Sequence, residues 1–563
     1  DGSNTDGFMT EHMEFADQLA GYVESEHPEF LVNKLYYDAY KKDMAAGTYP
    51  DVRSGLQKLL KDGLLLFNYT GHGGTTALSD EKVLTQTDIN QFTYTHLPVW
   101  VTATCDFTRF DDLNTSAGED VFLNKSSGGI ALFTTVRVAY SRPNFPINDN
   151  VIRNLFERNN GRRRTLGEVM QATKNTLSSV YKLGFCLIGD PAVKMAYPEF
   201  GMKVTTVNGQ AVDENSISFK ALEKITVEGE VLDASGQLVT DFTGIVNPTV
   251  KDSKVTVTCL KNSNKDDTPA FTFTDYPNTI FIGNDSVRNG KFSFTFTVPK
   301  DISYSNLQGK MNLYAVDTEN GHEAQGNFDN FIVGGTSDTA ETDTIGPEIR
   351  ALYLNDTTFV DGGQVNTTPY FVAELWDKSG VNITGSSVGH DMMLVIDEST
   401  VLSYNLNSYY ELLPGEEGAG IVKFPIPALE PGKHTAEFWV WDIQNNSTVR
   451  TFTFEVVEGL KPFLFDVIAT PGIAREQVTF HLMHNRPESR MRVGIMVYDL
   501  AGRQLWKHEE SGTSGLFENY TVSWDLTCGG ARMRPGVYIY RAAISTDNSK
   551  DATKARKFII LGE

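Results

Sequence analysis

Two apolar runs near the start of the chain, each ending at a chemically reactive residue, constrain the fold most. The first run, Leu64–Thr70, is followed at once by Gly71 and His72, and the second, Leu97–Thr104, is followed directly by Cys105. Their length, their β-branched and aromatic residues and the turn residues around them are typical of strands buried in a parallel sheet. Helix-like patterns precede both runs, so the order of elements predicts an α/β fold.

The positions of His72 and Cys105 predict a nucleophilic pair. In open α/β sheets, active sites lie in the crevice at the carboxyl ends of the strands, and both residues follow such an end. A cysteine nucleophile needs a base to form its thiolate, and a histidine can take that proton and return it to a leaving amine. The N–H groups of the glycines around His72, with that of Cys105, would bind a developing oxyanion. The alternative interpretation is that His72 belongs to a turn and Cys105 is a small buried apolar residue.

Three segments carry a resemblance to a known family. Asn68–Gly73 and Val101–Asp106 closely resemble the catalytic motifs of the caspase-like cysteine peptidases of the gingipain family. Gly189–Ala192, which follows an apolar run, is similar to the motif that ends the catalytic domain of that family. The resemblance implies an α/β caspase-like catalytic domain with cysteine peptidase activity.

The resemblance also assigns roles to individual residues. It implies that Cys105 is the nucleophile, that His72 is the acid–base residue, and that the backbone N–H groups of Gly73 and Cys105 form the oxyanion hole. The family has an acidic residue, followed by glycine, that orients the histidine, and Asp1 is the candidate for that role. Basic-residue-specific gingipains carry an acidic specificity residue, which would fall within residues 10–15, but none is assigned there. Cleavage after lysine or arginine is therefore not predicted.

A loop after the third apolar run supplies candidate substrate contacts. The run Gly129–Thr135 predicts a third buried strand, and Val136–Asn150 is expected to form a long loop beside the strand ends, where substrate-contacting loops belong. Arg137, Tyr140 and Arg142 are the candidate substrate-binding residues on this loop. The alternative is a solvated loop with one or two packed aromatic side chains.

The length and composition predict several folded domains. A chain of 563 residues with 40% hydrophobic and 11% aromatic residues is an ordinary folded protein of more than one domain. A formal net charge of −23 argues against a nucleic-acid-binding surface. The sequence begins without a signal peptide, so we expect the C-terminal part of a longer secreted precursor.

After residue 200 the pattern changes to alternating strands separated by Gly, Asn, Asp and Pro turns, which is typical of antiparallel sandwiches. We predict a gingipain-like catalytic domain at residues 1–200, with its N-terminal part missing, and a β-sandwich domain at 201–345. An Ig-like β-domain is predicted at 346–458, and a small Ig-fold domain at 459–563. The fold class is thus an α/β caspase-like domain followed by three all-β domains.

The last predicted domain resembles the C-terminal signal domain of type IX secretion cargo. The resemblance is carried by Tyr498–Arg503, Trp524–Asp525, Pro535–Arg541 and the basic segment Lys554–Lys557. A gingipain-like domain joined to several β-domains and ending in such a domain is similar to the type IX sortases of Bacteroidota.

The sortase resemblance implies an enzyme at the cell surface, associated with the outer membrane of a Gram-negative bacterium. It would remove the C-terminal signal domain of cargo proteins and pass the cargo from a Cys105 thioester to an amine of anionic lipopolysaccharide. Its own C-terminal domain would dock on the outer-membrane barrel PorV, in a complex with PorQ and PorZ. No nucleic-acid partner is expected.

No cofactor is expected to be required. A structural calcium ion is a further hypothesis at Asp377, Asp391 or Asp442, whose alternative role is to bind the N–H groups of turns. The four cysteines lie far apart in the sequence and form neither a disulfide framework nor a paired metal motif.

Two other functions stay open at this point. A secreted gingipain-like endopeptidase would cleave unfolded proteins broadly and release its own C-terminal domain. A non-enzymatic surface adhesin or scaffold would carry a degenerate catalytic domain, which the presence of His72 and Cys105 argues against.

Overall fold

The chain divides into two compact units. The computed structural model describes residues 10–125, 127–159, 161–212, 217–262, 269–338, 342–385, 389–413, 416, 418–546 and 549–562. The first unit contains the described residues of Asp1–Phe219, Ile225–Phe296 and Tyr304–Gly334, and the second those of Lys220–Lys224, Thr297–Ser303 and Gly335–Glu563. The domain boundaries predicted after residues 200, 345 and 458 stay predictions.

A four-stranded sheet organises the N-terminal part of the first unit. Its strands are β1 (Leu66–Thr70), β2 (Val99–Ala103), β3 (Ala131–Thr135) and β4 (Phe185–Ile188), in that spatial order. β1 pairs with β2 and β2 with β3 in parallel, whereas β4 is antiparallel to β3. The prediction of parallel strands at the apolar runs is confirmed.

Within the described part of residues 1–200, six helices and several short elements surround this sheet. The helices are α1 (Glu11–Glu26), α2 (Pro50–Asp62), α3 (Gln86–Gln91), α4 (Ala117–Leu123), α5 (Ser141–Phe156) and α6 (Leu166–Thr176). Short 3₁₀ turns lie at Tyr37–Ala39 and Val180–Gly184, and short strands at Gly73–Gly74, Ala77–Leu78, Leu84–Thr85, Arg158–Asn159 and Arg162–Arg163.

Both faces of the sheet are covered, which explains why its strands are almost continuously apolar. Val101 and Phe133 point to the face where α1, α5 and α6 pack, whereas Trp100 and Leu132 point to the face of α2, α3 and α4. All four side chains are buried. Because the side chains of a strand alternate between its two faces, a strand covered on both sides needs an apolar residue at nearly every position.

Antiparallel β-structure follows from residue 200. A sheet of nine strands dominates the rest of the first unit. The strands between residues 200 and 336 are Phe200–Val207, Gln210–Ala211, Ile217–Ala221, Lys224–Leu232, Gly244–Lys251, Val255–Thr258, Thr272–Asp275, Thr279–Ile282, Asp285–Arg288, Lys291–Thr297, Leu307–Gln308, Lys310–Asp317, Glu323–Phe328 and Phe331–Thr336.

The second unit is built of β-sheets, as predicted for this part of the chain, and its division into two sandwich domains stays a prediction. A four-stranded and a five-stranded sheet comprise Glu348–Leu354, Gly363–Val365, Tyr370–Trp376, Met393–Ile396, Ser403–Asn405, Tyr410–Leu412, Ala419–Pro425, Gly432–Trp441 and Ser447–Val456, with a 3₁₀ turn at Asn407–Tyr409.

A three-stranded and a five-stranded sheet follow, and they enclose one apolar core. Their strands are Leu464–Thr470, Ile473–Ala474, Val478–His484, Met491–Tyr498, Gln504–Gly512, Tyr520–Trp524, Gly536–Ser545 and Ala552–Ile560, with a small hairpin of Thr527–Cys528 and Ala531–Arg532. Among the helices of the described residues, none combines the length and the apolar character that crossing a bilayer requires.

Candidate active site

The pairing of β1 with β2 brings His72 and Cys105 to one edge of the sheet. Thr70 at the end of β1 is the register partner of Ala103 at the end of β2. His72 lies two residues beyond Thr70, and Cys105 lies two residues beyond Ala103. The two predicted catalytic residues are therefore neighbours at the carboxyl edge of the sheet, where α/β enzymes place their chemistry.

The backbone at His72 is held by two hydrogen bonds to its carbonyl oxygen. The hydroxyl of Tyr69 donates to it at 2.6 Å, and the N–H of Ser79 donates at 2.9 Å. Burial raises the pKa of Tyr69 well above its ordinary value, so its phenol keeps its proton and remains a donor. The turn that carries the His72 side chain is thus fixed from both sides.

Gly73 packs directly against the residue that precedes Cys105. A Cβ atom at position 73 would lie 2.3 Å from Oγ1 of Thr104, which is far inside van der Waals contact. Only glycine fits at this close approach. The contact places the backbone of Gly73 beside the strand end that leads into Cys105, as the predicted oxyanion hole requires.

Hydrogen bonds to the neighbouring loop fix Cys105 and the turn around it. Its Sγ donates to the carbonyl oxygen of Ala139 at 2.9 Å, and the N–H of Ala139 lies 3.5 Å from the same sulfur. The Thr135 hydroxyl donates to the carbonyl of Thr104 at 2.6 Å, and Asp106 has a positive φ of 48°. A thiolate has no proton to donate, so formation of the nucleophile breaks the bond to Ala139.

A second histidine lies beside the first. The ring of His12, at the start of α1, meets the ring of His72 edge-to-face with centroids 5.1 Å apart. His12 is 6% exposed, and neither of its ring nitrogens has a hydrogen-bond partner among the described residues. Burial, with the nearby charge of His72 as a smaller cause, lowers the pKa of His12 to about 4, so its ring is neutral near pH 7.

His12 was not predicted from the sequence, although a signal for its burial exists. His12, Ala16, Leu19 and Val23 follow one another at the spacing of a single helix face. The buried side of α1, which also contains Met13, therefore includes a histidine.

The start of α1 is also tied to the start of α5. The carboxylate of Glu11 accepts hydrogen bonds from Ser141 Oγ at 2.5 Å and from Arg142 Nε at 2.7 Å. Burial alone would raise the pKa of Glu11, but these bonds and the positive charge of Arg142 outweigh it and hold the pKa below its ordinary value. The ion pair fixes the end of the loop that carries Ala139.

The candidate substrate-binding residues lie on a shorter loop than predicted. The loop expected over Val136–Asn150 is wrong beyond residue 140, because α5 begins at Ser141. Pro143 stands in its first turn, where the missing N–H has no helical partner to lose. Ile147 and further apolar residues of α5 are buried against the sheet, and this packing holds the helix despite Pro146.

The three predicted substrate contacts have different environments. Arg137 donates to both carboxylate oxygens of Asp111, at 3.0 Å and 2.6 Å, and this bond raises the pKa of Arg137. Tyr140 is exposed beside the loop contact of Cys105, and Arg142 is paired with Glu11. Their role in substrate binding stays a prediction. Asp1, the predicted histidine-orienting acid, lies outside the described residues.

The predicted calcium ligands are brought together in part. Carboxylate oxygens of Asp377 and Asp442 lie with one of Asp343 within 4.8 Å of one another, whereas Asp391 accepts instead from Asn407 Nδ2 at 2.7 Å. Asp377 also accepts from the N–H of Ser379 at 2.7 Å, and Asp442 from the N–H of Asn446 at 2.7 Å, which is the turn-binding role. Calcium binding stays a prediction.

The neutral state of His12 predicts acid-dependent unfolding. The unfolded chain binds a proton at this histidine below about pH 6.5, whereas the folded chain resists protonation down to about pH 4. The contribution of His12 to the free energy of unfolding is therefore fully present above pH 6.5. It is lost as the pH drops towards 4, which lowers the free energy of unfolding by on the order of 2 kcal/mol.

Denaturant unfolding of the native protein and of His12→Phe, each at pH 7 and pH 4.5, measures this effect. The native protein should lose more stability between the two pH values than the variant does. If both proteins lose the same stability between pH 7 and pH 4.5, burial of a neutral His12 is not the cause of the acid-dependent unfolding.

Part of the chain matches a known protein family. Residues 1–196 match the family model of peptidase family C25. The chain is similar to dimeric latent PorU from Porphyromonas gingivalis, with 36% identity, 78% of this chain and 41% of PorU covered and a TM-score of 0.32. It is also similar to the Arg-specific cysteine proteinase gingipain R, with 19% identity, 50% of this chain and 56% of that chain covered and a TM-score of 0.25.

Among curated proteins no sequence matches the chain. The chain spans 41% of the length of PorU. The match of residues 1–196 confirms the family predicted from the motifs around His72 and Cys105. Residues 1–196 therefore match peptidase family C25, which is a family of cysteine peptidases.

Proposed function

We propose that this protein is a cysteine transpeptidase of the sortase type, acting at the bacterial cell surface. Its substrates are secreted cargo proteins with a C-terminal signal domain, and its acyl acceptor is an amine of anionic lipopolysaccharide. The observation that carries the proposal is the placement of His72 and Cys105 two residues beyond paired positions of adjacent parallel strands. Membership of a cysteine peptidase family supports the assignment of Cys105 as the nucleophile.

The first half of the reaction releases the signal domain. His72 takes the thiol proton of Cys105, and the sulfur attacks the carbonyl carbon before the signal domain. The N–H groups of Gly73 and Cys105 stabilise the oxyanion, the C–N bond breaks, and His72 gives the proton to the leaving amine. The cargo is then a thioester on Cys105.

The second half transfers the cargo. An amine attacks the thioester carbonyl, a new C–N bond forms and the C–S bond breaks. The proton of the amine passes to His72 and from there to the Cys105 sulfur. Transfer exceeds hydrolysis only if water is partly excluded while the thioester waits for its amine.

The remaining chain has supporting roles in this proposal. The C-terminal pair of sheets docks the enzyme on the outer-membrane barrel PorV, with PorQ and PorZ as further members of the complex. The reaction needs no cofactor, and the carboxylate cluster of Asp343, Asp377 and Asp442 is the place for a structural calcium ion. Tyr140 and Arg137 line the substrate path from the loop that contacts Cys105.

The test is intact-mass analysis of a cargo signal-domain fusion incubated with the full chain and glycinamide. We expect a product whose new C-terminus carries the amine, and its loss in Cys105→Ala. Cys186→Ala is the matched control, because Cys186 is a half-buried cysteine of β4 in the same sheet and should leave the product unchanged.

The other outcomes select the alternatives. A hydrolysed product without the amine would favour a secreted endopeptidase, which would also release its own C-terminal domain. Uncleaved fusion, with native and Cys105→Ala proteins behaving alike, would favour a non-enzymatic surface scaffold.

A further inference from the structure

Large apolar side chains are exposed next to Cys105, on two segments that follow β3 and precede β4. In a stable fold such side chains are usually buried, and a group of them at the surface marks a binding site. Tyr140 is 67% exposed and Leu183 is 71% exposed. We name this group the apolar lip, and its members are Val138, Tyr140, Val180, Tyr181 and Leu183.

The fold joins the two segments of the apolar lip into one surface. The N–H of Val136 donates to the carbonyl of Gly184 at 2.8 Å, which links the start of one segment to the end of the other. The rings of Tyr140 and Tyr181 meet edge-to-face with their centroids 6.1 Å apart. These two contacts hold the two segments of the apolar lip together.

The apolar lip includes the two residues on either side of Ala139, which contacts Cys105. Ala139, whose carbonyl accepts the Cys105 thiol at 2.9 Å, stands between Val138 and Tyr140. A polypeptide whose carbonyl reaches the Cys105 sulfur must displace or pass this loop. Its residues beside the scissile bond then lie against the lip.

The two arginines next to the lip are already ion-paired, and the ammonium of Lys182, between Tyr181 and Leu183, donates to the backbone carbonyl of Lys174 at 2.7 Å. Arg137 binds Asp111 through two hydrogen bonds, and Arg142 binds Glu11. A charged substrate side chain placed on the lip would lose water without gaining a counter-charge from these pairs. An apolar side chain gains by leaving water there.

We propose that the apolar lip is a specificity surface that receives an aliphatic or aromatic side chain of the polypeptide substrate, on the acyl side of the scissile bond. The proposal rests on the proposed function in one respect, the role of Cys105 as the nucleophile. It adds the chemical class of the substrate residue that this site selects.

The test measures covalent labelling of Cys105, which does not depend on transfer to any acceptor. Matched peptidyl acyloxymethyl ketones carry leucine, aspartate or lysine at the first or the second residue before the ketone, and intact mass follows the Cys105 adduct in the full chain. Leucine at one of these positions should label at least about 10-fold faster than the charged residues, since one apolar contact discriminates by about this factor or more. Each rate is normalised to alkylation by iodoacetamide.

Variants of the lip assign the preference. Tyr140→Ser and Leu183→Ser should reduce the leucine preference at least threefold, and thermal melting should show that both remain folded. Leu97→Ser is the matched control, because Leu97 is an exposed leucine that precedes β2 at the opposite end of the strands, and the preference should stay.

Two results would overturn the proposal: equal labelling by all reagents in the native protein, or an unchanged preference in Tyr140→Ser combined with Leu183→Ser. A leucine preference without cleavage of cargo would instead leave the lip standing and remove the proposed sortase function. The two failures are therefore distinguishable.

Discussion

Replacement of His72 by alanine is expected to lower the rate of substrate cleavage by about 10³-fold, because in the proposed mechanism this one side chain is the base for the thiol and the acid for the leaving amine. Loss of the imidazole removes both proton transfers, while the backbone donors of Gly73 and Cys105 and the binding surface remain. Single-turnover kinetics on a cargo signal-domain fusion measures the loss, and intact mass shows whether the thioester still forms.

The second histidine of the site provides the matched control. His12 lies 5.1 Å from His72 between ring centroids, but it is buried and its ring nitrogens have no hydrogen-bond partner among the described residues. We expect His12→Phe, which keeps a flat ring against His72, to cost less than about 10-fold, since no proton transfer is lost. Equal losses in the two variants would mean that both histidines act on protons.

The substitution Gly73→Ala is expected to reduce kcat by about 10²-fold, the effect of losing one oxyanion-hole donor. The new methyl group would lie 2.3 Å from Thr104 Oγ1 and 3.1 Å from Thr104 Cγ2, so the backbone of Gly73 or the strand end before Cys105 must shift. Steady-state kinetics should show the loss mainly in kcat, since the donor acts on charge that develops in the transition state.

The adjacent glycine separates a local clash from a general effect of alanine in this turn. A Cβ atom at Gly74 meets no atom within 4 Å, so Gly74→Ala should change kcat less than about twofold. Combining Gly73→Ala with Thr104→Ala removes the two closest atoms and should restore part of the activity. A loss in Gly74→Ala as large as that in Gly73→Ala would contradict the steric explanation.

The strands that position the site were predictable because their signal is local. β1, β2 and β3 are covered on both faces, so they carry apolar residues such as Trp100, Val101 and Phe133 at nearly every position. Such a run indicates a buried strand from the local sequence alone. The turn residues after each strand then located His72 and Cys105. The antiparallel sheets after residue 200 were predictable for the same reason, since alternation along one strand shows one buried face.

The helix α5 was not predictable, because what holds it lies far away in the sequence. Asn148 is fully buried and donates to Thr70 Oγ1 at 3.2 Å, while Asn68 donates to Asn148 Oδ1 at 2.7 Å. In the sequence, asparagines and prolines in one segment indicate a loop. Only the strand end that supplies partners for Asn148 makes burial of this polar side chain favourable.

The contacts of α1 with the site were equally hidden in the sequence. Glu11 and His12 stand at the start of α1, where an acidic residue is favourable for the helix whether or not it has a distant partner. In the fold, Glu11 meets Arg142 and His12 meets His72, across separations that no local pattern encodes.

The register between β1 and β2 determines where the chain can accept inserted residues. His72 and Cys105 follow the ends of two strands that lie about 4.8 Å apart, whatever the length of chain that connects those strands. The exposed turn at Thr95–Leu97 lies in that connection, just before β2 begins and away from the carboxyl edge. Extra residues there would lengthen the connection along the polypeptide while leaving the pairing of β1 with β2, and with it the placement of His72 and Cys105, unchanged. The turn is therefore a natural place for this scaffold to acquire, or be given, an inserted module.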